Sequence, residues 1–372
     1  MEIDFLYNYV FWVFAASAAI QLLYFWMIFS RFAFYKDKVK PQADIPVSVI
    51  ICAKNEYQNL KEYLPLILEQ DYSDFEVVVV NDASDDETIF FLEDMERKYG
   101  NLKIVTLMQD LNFFSGKKFP LSVGIKSAKN EHLLLTDADC RPASRNWIRE
   151  MAGKFSSKKD IVLGYGAYNE EAGFLNRIIR YETATTALQY FSYALSGIPY
   201  MGVGRNLAYK KELFIKSKGF ISHYNVASGD DDLFVNKVAG KSNTTICVGK
   251  ESFTFSKPQK SVRTWFRQKR RHLSAGKYYK FKHLFLLGTW SLSTFLFYLL
   301  FIFLLIVNFL TVAVLSIFAV RLLSQLIIYK KTFNRLNEKK LLLISPLVEV
   351  ILLVLYPVII ISNLFVKQNR WK

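Results

Sequence analysis

HLLLTDADCRP, residues 132–142, decides how this chain is read. His132, Leu133, Leu134 and Leu135 open it as a buried strand, which stops at Thr136-Asp137-Ala138-Asp139. In an extended chain residues i and i+2 point to one side, so Asp137 and Asp139 are expected to converge. One reading is a polar turn that closes a strand. The other is a divalent-cation site, because hard cations such as Mg²⁺ take oxygen ligands and are held by one or two carboxylates plus substrate phosphates.

Outward from this stretch, strands alternate with helical patterns. VSVIICAKNE (47–56) is a β-branched run ending at Lys54-Asn55-Glu56, and NLKEYLPLILEQ has apolar residues at helical spacing. FEVVVVNDASDDET ends a second buried strand at Asn81-Asp82, with a helix expected from about Thr88 to Lys98. LKIVTL is a third strand, and GKKFPLSVGIKSAKN reads as a helix entered through Gly116. Such alternation predicts a mainly parallel α/β sheet, and ligands of open α/β sheets bind beyond the carboxyl ends of the strands. Glu56, Asp82 and the Asp137/Asp139 pair all fall on that edge. No GxGxxG and no GxxxxGK[ST] occurs, which excludes a dinucleotide fingerprint and a P-loop. A nucleotide on this rim is therefore expected to be held through ribose, base and metal contacts, with Lys117 and Lys118 adding positive charge.

Farther on, DIVLGYGAY is a candidate fifth strand, and GVGRNLAYKKELF joins a glycine-containing loop to a strand and a helix start. SGDDDLFVNKVAG places three consecutive acids, Asp230 to Asp232, at the start of an apolar-periodic helix. Acids there are favoured by the helix dipole. Capping needs only one of them, and neighbouring like charges repel. The surplus points to a base or a metal contact.

The 372-residue chain carries apolar stretches at Phe5–Phe34, Leu284–Tyr329 and Leu341–Val366. Each exceeds the roughly 20 residues a helix needs to cross a hydrocarbon core. The middle one is long enough for two passes, with a connection near Val307-Asn308. An acidic start (Glu2, Asp4) and a long apolar part make the first stretch a retained anchor rather than a signal peptide. Arg31, Lys36, Lys38 and Lys40 follow it, so the positive-inside rule predicts a cytoplasmic globular domain. Three cysteines without a CxxC pair suit a reducing compartment. Four histidines without ligand-like spacing argue against zinc.

A net charge of +15 raises nucleic acid as a partner, but its location argues for lipid. Between Lys257 and His283 there are ten Lys or Arg and no acid, directly before an apolar stretch. Val262, Trp265, Phe266 and Leu273 lie at roughly helical spacing, which suggests an interfacial helix. The expected order is an anchor (1–40), a cytoplasmic domain (41–256), a basic interfacial segment (257–283) and two to three C-terminal spans (284–372). Inside the membrane part Arg321 and Glu349 are expected to pair. A continuous last span would put Lys367, Arg370 and Lys372 outside, and a re-entrant break at Pro346 and Pro357 would return them.

Together these motifs resemble the family 2 glycosyltransferases of GT-A fold, the inverting group that includes cellulose, chitin, hyaluronan and poly-N-acetylglucosamine synthases. The resemblance covers roughly Pro46 to Lys282. It implies an α/β GT-A domain, a nucleotide-diphospho-sugar transferase fold, flanked by transmembrane helices. It further implies that Ala53 and Glu56 cradle the base and ribose, that Asp82 contacts the base, and that Lys117 approaches the nucleotide. TDADC is similar to the family's DxD, with Asp137 near the nucleotide sugar and Asp139 on Mg²⁺ or Mn²⁺. SGDDDLF stands where the family keeps its base, at Asp231 or, in the other alignment, Asp230. QKRRH resembles the family's QxxRW as Gln268 and Arg271, with His272 replacing tryptophan.

The implied reaction is β-linked sugar transfer from a nucleotide sugar, UDP-linked by the resemblance, to a lipid-linked or glycan acceptor at the membrane. The alternatives are a processive polysaccharide synthase and a non-catalytic nucleotide-sugar-binding membrane protein.

Overall fold

The computed structural model describes residues 2–37, 45–108, 116–226 and 228–365. Lys38 and Lys40 of the first basic flank, and Lys367, Arg370 and Lys372, lie outside them. Helix α1 (Glu2–Leu23) continues through a π turn (Tyr24–Phe29) into α2 (Ser30–Ala33). The globular part then runs β1 (Val47–Ala53), α3 (Tyr57–Leu68), β2 (Phe75–Asp82), α4 (Thr88–Lys98), β3 (Leu102–Leu107), α5 (Lys118–Ser127), β4 (His132–Asp137) and β5 (Cys140–Pro142). It continues with α6 (Trp147–Ala152), β6 (Ile161–Leu163), β7 (Gly166–Tyr168), α7 (Phe174–Leu195), β8 (Leu207–Lys210), α8 (Lys211–Lys216), α9 (Asp232–Val238), β9 (Thr244–Ile246) and β10 (Thr254–Ser256). Last come α10 (Val262–Gly276), α11 (Phe281–Ile306), α12 (Thr311–Arg335) and α13 (Ser345–Phe365).

Seven strands form one sheet in the order β3-β2-β1-β4-β8-β6-β9. The four strands expected from the sequence are mutually parallel, while β8 runs antiparallel to β4 and β6. Every residue of β1 is buried, as befits a strand covered on both faces. DIVLGYGAY is two strands rather than one. Its first half joins the large sheet, and its second half joins a small sheet, β5-β10-β7. The break falls at Gly164, where a Cβ would stand 2.5 Å from Asn206 Cγ. That Asn206 is buried, accepts from Trp147 Nε1 (3.1 Å) and donates to the carbonyls of Tyr165 (3.0 Å) and Ser252 (2.7 Å). It pins the two sheets where the site opens.

Four helices are long and apolar enough to cross a membrane: Phe5–Ala33, Phe281–Ile306, Thr311–Arg335 and Ser345–Asn363. The first three form a bundle whose centre is filled by aromatic rings. Phe14 stacks on Phe297 (5.2 Å between centroids), and Phe318 stacks on Phe301 (4.2 Å). Helix α13 runs unbroken through Pro357, so no re-entrant break occurs there. Pro346 sits in its first turn, where a missing N–H costs nothing. The apolar stripe of α10 does not simply face lipid: Trp265 is only 1% exposed and belongs to the core beneath α7, although Val262 is open.

Candidate active site

The site begins where β1 and β4 end side by side, with Cys52 level with Asp137. Asp139 is not in extended chain. The strand turns at Ala138-Asp139 before β5 starts at Cys140, and this tight turn brings the two carboxylates together. Oxygens of Asp137 and Asp139 and the sulfur of Cys140 all lie within 4.8 Å of one another. Gly116, at φ 85°, aims the chain into α5 so that the Lys117 ammonium pairs with Asp137. Burial would raise the Asp137 carboxyl, but Lys117, helped by Arg205 and Arg271, outweighs it and holds it below the usual range. Asp139 is raised by burial and by the Asp137 charge.

Two carboxylates converging on one point fit a hard cation with oxygen ligands. Cys140 fits it less well. Its thiol lies 2.9 Å from Ser256 Oγ, and burial pushes it well above the ordinary thiol value, so it stays protonated. The pair Asp137 and Asp139 is the donor set with the right chemistry.

Across the cavity the three aspartates diverge. Asp231 caps α9 and is held on both oxygens, by the Gly204 amide (2.6 Å) and the Asp232 amide (2.7 Å). Burial, then the charges of Asp230 and Asp232, raise its carboxyl to about 8. Asp232 accepts from the Tyr279 hydroxyl (2.7 Å), while burial raises it to about 6. Asp230 lies on the Lys117 side and adds to the field that raises that lysine. Lys118, expected to supply charge, is buried near Asp230, Asp231 and Asp232, whose charges act on it, and it also serves as a staple. Its ammonium donates to the carbonyls of His223 (2.9 Å), Val226 and Ser228 (2.7 Å), fixing the loop that leads to Asp230.

Helix α10 forms the third wall. Gln268 Nε2 donates to the Tyr168 hydroxyl (3.3 Å), and Arg205 stacks over the Tyr168 ring at 4.2 Å. His272 lines the cavity, with its side chain exposed there. Desolvation by the surrounding protein, then the charges of Lys269 and Arg271, lowers the imidazole from its ordinary value. Arg205, Tyr168 and Tyr279 also line the cavity but were not singled out in the sequence, although Arg205 lies in GVGRNLAYKKELF and Tyr168 ends DIVLGYGAY.

Apart from Cys140 and Lys118, these groups line one cavity of about 1870 Å³. It takes in Glu56, Lys117, Asp137, Asp139, Asp230, Asp231, Gln268, Arg271 and His272. Ala53 and Asp82 stand outside its described lining: Ala53, the last residue of β1, is buried in the core, and Asp82 ends β2, one strand farther out. Beyond the acids the cavity continues between apolar residues of α11 and α13.

The sequence profile of Glycosyl transferase family 2 matches residues 48–217, from β1 through the paired carboxylates to the end of α8. This segment is a family 2 glycosyltransferase domain. The domain is 31% identical over 124 residues to an uncharacterized glycosyltransferase of Haemophilus influenzae, covering 33% of this chain and 36% of that one. It is 30% identical over 93 residues to a poly-beta-1,6-N-acetyl-D-glucosamine synthase of Staphylococcus epidermidis, covering 25% of this chain and 21% of the synthase. The chain thus matches about a third or less of the length of these relatives.

A solved mannosyltransferase of Pyrobaculum calidifontis, in complex with GDP-Man and Mn²⁺, superposes with a TM-score of 0.59 at 19% identity, covering 92% of this chain and 98% of that one. The likeness establishes the GT-A-like fold of the glycosyltransferase domain and extends over nearly the whole chain.

Proposed function

We propose that this protein is an inverting, metal-dependent glycosyltransferase that moves a sugar from a nucleotide-diphospho-sugar, UDP-linked, to a lipid-linked or membrane-proximal acceptor on the cytoplasmic side. The observation that carries the reading is the single cavity joining Asp137, Asp139 and Asp231 to apolar residues of α11 and α13.

The acceptor hydroxyl attacks the anomeric carbon and forms the new C–O bond. The bond from that carbon to the diphosphate breaks, and its electron pair leaves with the nucleoside diphosphate. The hydroxyl proton passes to Asp231, with Asp230 as the neighbouring alternative. A carboxyl poised near 8 suits a general base, whose value should lie near the working pH. Lys117 and Arg271 offset charge on the departing diphosphate, the electrostatic part of the catalysis. Asp139 with Asp137 would hold Mg²⁺ or Mn²⁺, whose chemistry is Lewis-acid neutralisation of that same charge. Attack from the face opposite the leaving group gives a β-linkage from an α-linked donor.

Processive synthesis with export would need a polymer path through the helices. The stacked Phe14, Phe297, Phe301 and Phe318 rings fill the bundle of α1, α11 and α12, which favours addition to a membrane-held acceptor. The test is mass-spectrometric product analysis from membranes supplied with candidate donors. Glycosylated lipid is the expected product, and long soluble polymer would refute the acceptor class.

A further inference from the structure

The third acid at the start of α9, Asp232, has no part in the reaction derived above. Its carboxylate is held on both oxygens, as that of Asp231 is, but one holder comes from far along the chain. The Leu233 amide donates to Oδ1 (2.7 Å), and the Tyr279 hydroxyl donates to Oδ2 (2.7 Å). Tyr279 stands in the link 277–280 between α10 and α11, where the chain leaves the domain for a long apolar helix.

A second tie starts from the same face of α9. Asn236 follows Asp232 by four residues, which puts both on one side of the helix, and it is buried. Its Oδ1 accepts from the Lys280 amide (3.0 Å). Its Nδ2 donates to the Tyr200 carbonyl (2.8 Å) and lies 2.9 Å from His283 Nδ1 in α11. The Lys280 ammonium adds a bond to the Lys237 carbonyl (3.0 Å). The Tyr200 ring meets Tyr279 edge-on, 5.9 Å between centroids. Tyr200 also opens the short segment that reaches Gly204, whose amide holds Asp231 Oδ2. The base and the amide that orients it are thus fastened to one point, the foot of α11.

Helix α9 has only seven residues, and so short a helix is not rigid by itself. A general base must stand within hydrogen-bond reach of the proton it takes, and a misplacement of about 1 Å can cost about 10²-fold. We propose that Tyr279 and Asp232 are positioning residues, whose hydrogen bond lets the foot of α11 hold α9, and with it the Asp231 carboxylate, against the acceptor hydroxyl. This rests on the transfer reaction argued above. It gives the surplus acid of the triplet a task, and it sets the base where the domain meets the membrane part.

Asp232 also acts on Asp231 by charge. The groups facing Asp231 are the Asp230 and Asp232 carboxylates, the Gly204 and Asp232 amides, the Lys118 ammonium, and the Tyr209 and Tyr279 hydroxyls. The two carboxylates raise it, and the two amides lower it. An asparagine at 232 removes one raising charge and keeps an oxygen for Tyr279 to donate to.

The test uses detergent-purified full-length protein, a UDP-sugar as donor and a total lipid extract of the host membranes as acceptor. Tyr279→Phe should lower kcat by about tenfold or more, with UDP affinity and the half-saturating amounts of donor and extract unchanged. Asp232→Asn should lose no more than about threefold in kcat above pH 8, and the acid limb of its pH profile should move to lower pH. Wild-type kcat in Tyr279→Phe overturns the proposal. A higher half-saturating amount of extract with kcat kept also overturns it, by making Tyr279 an acceptor contact. Asp232→Asn as inactive as Asp231→Asn would make Asp232 a chemical group, and an acid limb that stays in place would reject its action on Asp231; either result overturns the assignment. Wild-type protein that turns over no nucleotide sugar overturns the function on which the proposal rests.

Discussion

Arg321 Nη2 stands 3.0 Å from Glu349 Oε1, and both side chains are buried among the apolar helices. The pair is the centre of a polar network. Arg321 also donates to Gln21 of α1 (2.7 Å) and to Gln325, while Glu349 accepts from the Tyr298 hydroxyl (2.6 Å) and from Gln325 Nε2 (3.0 Å). Four helices are thereby tied at one level. Removing one partner of a buried pair leaves an uncompensated charge, which costs about 3–5 kcal/mol. Arg321→Ala and Glu349→Ala should each lower the melting temperature in detergent, and Arg321→Glu with Glu349→Arg should recover part of the loss. A double variant no better than the singles would reject direct pairing.

Asp231→Asn should reduce sugar transfer by the roughly 10²–10⁴-fold that general-base catalysis contributes, with donor affinity largely kept. The check is single-turnover transfer beside nucleotide-sugar binding. Near-normal transfer in Asp231→Asn together with an inactive Asp230→Asn would move the base one residue along the chain.

The pH profile follows from the same group. Burial with Asp230 and Asp232 nearby raises Asp231 to about 8, and only its ionised form accepts a proton. Transfer should therefore rise with pH, by about tenfold per unit on the acid side, and level off above about 8. A rate already flat between pH 5 and 8 would contradict the assignment.

Gly164→Ala should destabilise the fold by about 1–3 kcal/mol, the usual cost of overpacking. The added Cβ would meet the Asn206 amide at 2.5 Å, and three hydrogen bonds keep that amide from moving. Thermal unfolding of the variant measures it, and an unchanged melting temperature would show that the two sheets can part there.

The strand–helix alternation up to Asp139 was legible because three of its strands, β1, β2 and β4, are apolar runs that lead into acids. The Arg321–Glu349 pair was legible because two ionisable groups in apolar stretches have few alternatives to each other. Asn206 and Arg205 were not. Their partners, Trp147, Ser252 and Tyr168, come from distant segments, and no local spacing announces them. Lys118 does carry its charge beside Asp230, Asp231 and Asp232, but its part in holding the loop was not legible, because its three carbonyl partners lie more than a hundred residues away.

The central claim is metal-dependent turnover of a nucleotide sugar at Asp137 and Asp139. Detergent-purified protein should be incubated with a UDP-sugar, with and without EDTA, and released UDP measured. The account predicts release that EDTA abolishes, that Mn²⁺ or Mg²⁺ restores, and that Asp139→Ala loses along with Mn²⁺ binding. Release that is indifferent to both EDTA and Asp139→Ala would contradict it.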